Sequence, residues 1–532
     1  MKQDMPEEPT NPSDDASSAT RLSAAPRRAH FLRVGIIGLC AGLLAVAFRK
    51  ALAMSESGRV ELLEFLHGHP GWGWLVLPAV GMIVGCLVGW ITQRFEPDAA
   101  GSGIPHLKGV MLHVRSFSSW SRLIVVKFFG GIAGIGAGLS MGREGPTVQM
   151  GAAVARALSK LLRAPEADLP QLLSAGAGAG LAAAFNAPLA GLLFVVEELH
   201  RELSSRTAAG ALIAAVCATV VTQSFTGDTP SFEVRGLDAM PLAALPLAII
   251  IGILGGFGGV AFNRSLLAAQ SAALRQTLFP RWMLPGLAAA VAGLVAWKIP
   301  DAVGGGHGVA ERVLAGTIGL GVTSLSILLL LKFSLTTVSY ASGAPGGIFA
   351  PMLLLGALVG TIAGKMAAAS SPMLAGHEQV LAVLGMAAFF VGSVRTPLTG
   401  IVLISEMTGG YRLLFPICVA SLAAYLIAEW LRDEPIYDAL LHADLKRHGH
   451  GPARAEPRTV YIGIQSRSTM AGKAIAKAGL PRGCLVVAIE RGGNTVLPAA
   501  DTVLLPGDHI SILTPGDAPD APLKIVRLCT GM

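Results

Sequence analysis

A carboxylate stands in apolar chain at Glu144, inside the stretch SMGREGPTVQMG from Ser140 to Gly151. Gly142 and Arg143 precede it, and Gly145 and Pro146 follow it. To its left runs VVKFFGGIAGIGAGL and to its right AAVARALSKLL. A lone carboxylate in hydrocarbon is costly and by default marks a functional site. The residues around it suggest the chemistry. Proline suits the first helical turn, where its missing N–H is no loss. Glycine lets the chain enter from conformations other residues resist. GREGP therefore reads as a helix N-terminus buried in a membrane.

Two further stretches have the same punctuation: GSGIPHLKG, with Gly101, Ser102 and Gly103, and GGIFAPMLLLG, with Gly346, Gly347, Ile348 and Phe349. Helix N-termini present free N–H groups and the positive end of the helix dipole. Several of them aimed at one place make an anion site without a full positive charge. A conducting site must also let its ion go. The donors on offer are the Ser102 hydroxyl and backbone amides near Ile348 and Phe349. No G-x-x-x-x-G-K-[ST] loop and no arginine cluster for phosphate is present, so the expected ligand is a small monovalent anion.

Glu144 at such an end is held between two effects: the dipole favours its charged form and desolvation opposes it. Charged, it can occupy an anion site itself. Protonated, it can swing away and leave the site open, which makes it a gate and a proton carrier. The plain alternative is a glutamate that only caps its own helix. A second acidic pair, Glu197 and Glu198, ends the apolar run GLLFVV and is followed by His200. Such a pair can be surface charge, or an acid near the aqueous edge that relays protons.

The elements that must position these groups are membrane helices. The chain has 532 residues, 52% hydrophobic and only 14% charged, with 65 glycines. Apolar blocks fall at 34–47, 74–93, 121–141, 208–225, 242–263, 283–297, 324–333, 346–363, 378–392 and 412–430. Several approach the ~20 residues that cross a bilayer. The stretches 145–163, 171–184 and 187–198 are shorter or broken, which is tolerated at membrane depth only where protein covers them or they line a wet cavity. That pattern points to a transporter or channel in a lipid bilayer. The expected fold is an α-helical polytopic membrane protein with a small α+β domain at the C-terminus.

A net charge of +7 is read as basic loops held on the cytoplasmic side. Arg21, Arg27, Arg28 and Arg33 precede the first span, and Lys446, Arg447 and Arg454 follow the last, so both termini are expected in the cytoplasm. Residues 1–20 are polar and acidic, without a cleavable signal. The six cysteines have no CxxC spacing and suggest no disulfide framework. No nucleic-acid partner is expected, because the basic residues lack aromatic interleaving. No HExxH, nucleotide loop or G-x-S-x-G marks an enzyme, and no cofactor or metal is expected.

The membrane part repeats itself. GREGPTVQMG (142–151) matches GIFAPMLLLG (347–356), and GSGI (101–104) matches GHGV (306–309), both at an offset of 205. APLAGLLFVVE (187–197) matches TPLTGIVLISE (396–406) at an offset of 209. Repeats with broken helices at corresponding places point to a transporter binding site. They leave parallel and inverted arrangements both open. Glu406 is the repeat partner of Glu197 and is expected to be structural.

The expected divisions are a disordered tail (1–30), a membrane unit (31–441, repeats at roughly 31–235 and 240–441), a polar linker (442–458) and the α+β domain (459–532). In the last, TVYIGI, CLVVAIE, TVLP and HISILT read as strands and MAGKAIAKAG, residues 470–479, as the helix.

GSGIP at 101–105, GREGP at 142–146, AFNAPLAG at 184–191 and GGIFAP at 346–351 resemble the signature stretches of the CLC chloride channels and proton-coupled exchangers. The resemblance covers roughly residues 30–440. It implies an inverted-repeat helical bundle, a homodimer with one pore per subunit, and both termini in the cytoplasm, here at the cell's inner (plasma) membrane. Ser102 then supplies a hydroxyl to chloride, Ile348 and Phe349 their backbone amides, and Tyr437, in EPIYDALL, a second hydroxyl. Glu144 is the gating glutamate and Glu198 the inner proton relay. An acid at Glu198 implies an exchanger that moves chloride one way and protons the other; a passive chloride channel is the alternative. Ser102 argues against a nitrate-selective relative and GSGIP against a fluoride-selective one. A cation transporter would need filters of the opposite sign.

Two departures stand out. Lys108 occupies a place where bacterial exchangers tend to be acidic, close to the inner proton route. The tail (479–515) resembles the C-terminal domain of potassium-transport regulators of the TrkA type, which implies either a regulatory module with a small-molecule ligand at residues 459–532 or a domain that only stabilises the dimer.

Overall fold

The computed structural model describes residues 12–532 except 113, 118, 202–203, 233, 235–243, 371–375, 449–457, 493, 516–520 and 532. The first half runs α1 (Pro12–His67), α2 (Gly73–Phe95), α3 (Ile104–Met111), α4 (Trp120–Gly136), α5 (Glu144–Leu161), α6 (Leu169–Phe185), α7 (Pro188–Phe194) and α8 (Ser205–Thr226). The second runs α9 (Leu245–Arg275), α10 (Leu284–Ala296), α11 (His307–Leu314), α12 (Val322–Ala341), α13 (Phe349–Ser370), α14 (Glu378–Val394), α15 (Pro397–Thr408), α16 (Leu414–Trp430) and α17 (Ile436–His448). Among the described residues, seven helices are long and apolar enough to cross a membrane. The others are short, as the Gly and Pro breaks in their sequences require.

The question of repeat direction is settled by contacts between repeat partners. Gly142 N donates to Gly347 O (2.7 Å) and Gly347 N donates to Gly142 O (2.8 Å), an antiparallel bridge between residues one repeat apart. A residue that pairs antiparallel with its own repeat equivalent lies beside a twofold axis that reverses chain direction. The repeats are therefore inverted. The same symmetry recurs elsewhere. Glu406 accepts from Leu189 N (3.1 Å) and Ala190 N (2.8 Å), while Glu197 accepts from Leu398 N (3.1 Å) and Thr399 N (2.7 Å). Each carboxylate caps the short helix of the other half, where the dipole and free N–H groups welcome negative charge. Glu406 is structural, as expected, and Glu197 does the same job. Removing Glu406 as Glu406→Ala strands two N–H groups of α7 and should cost about 3 kcal/mol. A thermal melt of the solubilised protein with an unchanged midpoint would contradict this.

Glycine lets the helices touch. A Cβ on Gly151 would lie 2.2 Å from Gly176 O, and one on Gly356 would lie 2.3 Å from Gly385 O. These pairs join α5 to α6 and α13 to α14 at equivalent points of the two repeats. Small residues that allow close backbone approach are how helices associate without a hydrophobic driving force between them. Large apolar side chains such as Ile83, Leu87, Phe129 and Leu330 instead face outward, towards lipid.

The C-terminal unit is a four-stranded antiparallel sheet in the order β1-β4-β2-β3, from β1 (Arg458–Gly463), β2 (Leu485–Arg491), β3 (Asn494–Val496) and β4 (His509–Thr514), with α18 (Ala521–Thr530). The strands fall on the four expected runs. The helix does not. Residues 470–479 hold only a 3₁₀ turn at Ile475–Lys477. Gly472 and Gly479 have positive φ, and Gly472 N, Ile475 N and Ala476 N donate to Leu504 O, Thr502 O and Ala500 O. Cross-chain pairing has taken the hydrogen bonds a helix would need. Two boundaries also move. α1 begins at Pro12, inside the stretch read as a tail. α17 runs to His448, so the residues from 442 are helical; the ion pair of Arg115 with Asp444 holds this extension to the segment after α3.

Candidate anion-binding and proton-transfer site

The three Gly/Pro motifs meet. Gly101 N donates to Ala344 O (3.1 Å), Gly346 N donates to Gly101 O (3.0 Å), and the Gly142–Gly347 bridge ties the second motif to the third. The N-termini of α3, α5 and α13 are thus pinned by backbone hydrogen bonds. Buried lysines hold the first turn and its repeat partner. Lys127 Nζ donates to Ala99 O (2.9 Å) and Gly101 O (2.6 Å), and Lys332 Nζ donates to Gly304 O (2.6 Å). These bonds tie each buried lysine to the loop that leads into a short helix.

Ser102 is fully buried, and its hydroxyl accepts from Ile104 N at 3.3 Å. Gly145 is where α5 passes this serine: a Cβ there would lie 2.8 Å from both Ser102 Cβ and Ser102 O. Gly145→Ala should therefore push the α5 terminus off Ser102. The expected result is at least about a tenfold loss of anion affinity, or ~1.4 kcal/mol. Calorimetric titration with chloride checks it, and an unchanged affinity would refute the packing argument.

Ile348 and Phe349 are buried at the start of α13, where helix N–H groups have no intrahelical acceptor. Into this end reaches Glu144. It is 1% exposed, its Oε2 accepts from Ala350 N at 3.3 Å, and its Oε1 has no hydrogen-bond partner. Arg143 Nε lies 3.9 Å from Oε1. The carboxylate does not merely cap α5, its own helix. It crosses to the N-terminus of α13.

Tyr437 is fully buried on α17, and its hydroxyl has no hydrogen-bond partner. Buried polar groups are almost always paired, so an orphaned hydroxyl here suits a ligand. Tyr437 lies within electrostatic range of both Glu144 and Glu198. Tyr340 on α12 packs beside the same turn, where a Cβ on Gly101 would lie 3.1 Å from its hydroxyl; a tyrosine in SLTTVSYAS gave no sequence signal.

Glu198 is 2% exposed, not surface charge. It lies in a π-helical turn, Val195–His200, a distortion that often marks functional sites. The extra residue in the turn separates neighbouring acids: Glu197 turns to α15, while Glu198 turns to Lys108. Lys108 Nζ is 2.7 Å from Glu198 Oε1 and 2.5 Å from Asp438 Oδ1. Arg201 also pairs with Asp438. Asp438 was legible in EPIYDALL as a carboxylate beside the tyrosine, but only the fold joins it to Lys108.

Inverted repeats in a membrane bundle, with three helix N-termini and two buried glutamates around one locus, define an ion channel or transporter. Residues 84–429 match the family model described as "Voltage gated chloride channel", and residues 460–520 match the TrkA-C domain. The chain belongs to this CLC chloride channel family and carries a C-terminal TrkA-C domain. It is 38% identical over 436 residues to the H(+)/Cl(-) exchange transporter ClcA of Cronobacter sakazakii, covering 80% of this chain and 92% of the relative. It is also 38% identical over 417 residues to ClcA of Vibrio campbellii, covering 77% and 88%. Among solved structures, a slow cyanobacterial Cl-/H+ antiporter superposes with a TM-score of 0.74 at 32% identity, covering 79% of this chain and 98% of that one. A CLC-type fluoride/proton antiporter, at 24% identity and a TM-score of 0.64, shares the fold over 76% of this chain and 95% of its own.

Proposed function

We propose that the protein exchanges chloride for protons across the cell's inner membrane, as a homodimer with both termini in the cytoplasm. The observation that carries this reading is the seat of Glu144: a carboxylate lies at the α13 N-terminus, where the amides of Ile348 and Phe349 would hold an anion. The exchanger names of its relatives support the same reading. Chloride is held by Ser102 and Tyr437 hydroxyls and these amides. When Glu144 takes a proton it loses its attraction to the helix dipole and leaves the place to chloride. Glu198 passes protons between Glu144 and the cytoplasm. The TrkA-C domain is a regulatory module for a small ligand.

A passive channel is the second reading, and the Lys108–Glu198 ion pair favours it, since an ammonium on the relay hinders protonation. Purified protein in liposomes under a chloride gradient decides between them. Exchange predicts chloride efflux together with proton movement against the proton's own gradient. Chloride flux with a constant external pH would make it a channel.

A further inference from the structure

Lys108 has two carboxylates within reach, and they belong to different machinery. Glu198 is the proposed proton relay. Asp438 is the residue after Tyr437, whose buried hydroxyl has no hydrogen-bond partner and is proposed above to hold the anion. Lys108 is 4% exposed and Glu198 2%, so their partners are chiefly each other and the neighbouring carboxylate. A buried cation between two acids is divided between them, and a change at one acid is felt at the other. We infer that Asp438 is a positioning residue for exchange: it competes with Glu198 for the Lys108 ammonium, and so ties proton arrival at Glu198 to the helix that carries Tyr437. This rests on the exchange reading above.

The step is a proton transfer only. A proton binds a Glu198 oxygen, the carboxylate loses its charge, and its bond to Lys108 weakens. Lys108 then shifts its weight to Asp438, and α17 responds. Release of the proton reverses each move. Without Asp438, Lys108 would stay on Glu198 and hold it ionised. With Asp438, the ammonium has somewhere to go.

The site is open to a proton source. Lys108, Glu198 and Asp438 line a cavity of about 580 Å³ whose far wall comes from the C-terminal sheet, including Tyr461, Glu490 and His509. The groups facing Glu198 are Lys108 from α3, Arg201 from its own turn, and Asp438 and Tyr437 from α17. His200, Arg206 and His442 stand on the membrane wall of the cavity, and Arg527 stands on the far wall.

The test compares Asp438→Asn, Lys108→Gln and the double variant in liposomes, reading chloride and proton flux and the dependence of exchange on internal pH. Asp438→Asn should slow exchange at least about tenfold and move its pH profile to lower pH. Lys108→Gln should remove that effect, so that the double variant runs at the Lys108→Gln rate. Asp438→Glu, which keeps both ion pairs, should restore most of the rate and guards against a folding defect. If Asp438→Asn is as slow in the Lys108→Gln background as in the native one, or if its pH profile does not move, the inference fails. If the native protein moves no protons at all, the exchange reading fails first, which is a separate result.

Discussion

Glu144→Gln is expected to abolish proton transport while chloride continues to cross. The amide keeps the size and shape of the carboxylate, and its oxygen can still accept from Ala350 N, so the fold around α5 and α13 should hold. What it loses is the charge. A neutral group gains little from the α13 dipole and competes poorly with chloride for the amides of Ile348 and Phe349. It also has no proton to give or take near neutral pH. The liposome assay should therefore show chloride efflux without a change in external pH, and that efflux should no longer depend on pH. Proton-coupled transport surviving in this variant would remove Glu144 from its role as gate and carrier.

The second large effect is expected at Glu198. Glu198→Gln should stop protons and spare chloride, because no atom of Glu198 belongs to the anion site. Ser102, Ile348, Phe349 and Tyr437 stay where the three helix N-termini and α17 put them. Lys108 keeps a partner in Asp438, 2.5 Å away, so the change does not leave a buried ammonium alone. Breaking a buried pair by deleting one partner costs several kcal/mol when the remaining charge is stranded; here it is not stranded. The variant should fold, bind chloride by titration with near-native affinity, and pass it passively. If Glu198→Gln still drives protons uphill, the cytoplasmic relay lies elsewhere, and Asp438 or a cavity group would have to carry it.

The two variants differ in one further measurement. On the proposed mechanism Glu144 competes for the anion site and Glu198 does not. Chloride affinity should therefore respond to pH in Glu198→Gln and lose that response in Glu144→Gln.

The sequence by itself determined the kind of site. Gly and Pro ahead of apolar runs specify helix starts locally, and helix starts carry a known sign of charge wherever the fold puts them. GSGIP, GREGP and GGIFAP therefore marked the starts of α3, α5 and α13, and the single offset linking 142–151 to 347–356 marked two repeats. The four strands of the C-terminal unit were legible for the same reason, since β-formers between turns act over a few residues.

Tertiary structure decided the rest. Whether the repeats run parallel or inverted depends on which face meets which, and only the Gly142–Gly347 bridge and the crossed caps of Glu197 and Glu406 answer that. The helix expected at 470–479 gave way because the loop around residues 500–504 offered its backbone better partners. Neighbouring Glu197 and Glu198 look identical in sequence; a π-helical turn sends one to a helix cap and the other to Lys108. The ion pairs of Lys108 join segments far apart in the chain, and in a buried site the free energy of a charge is set by its partners in space, which no local pattern encodes.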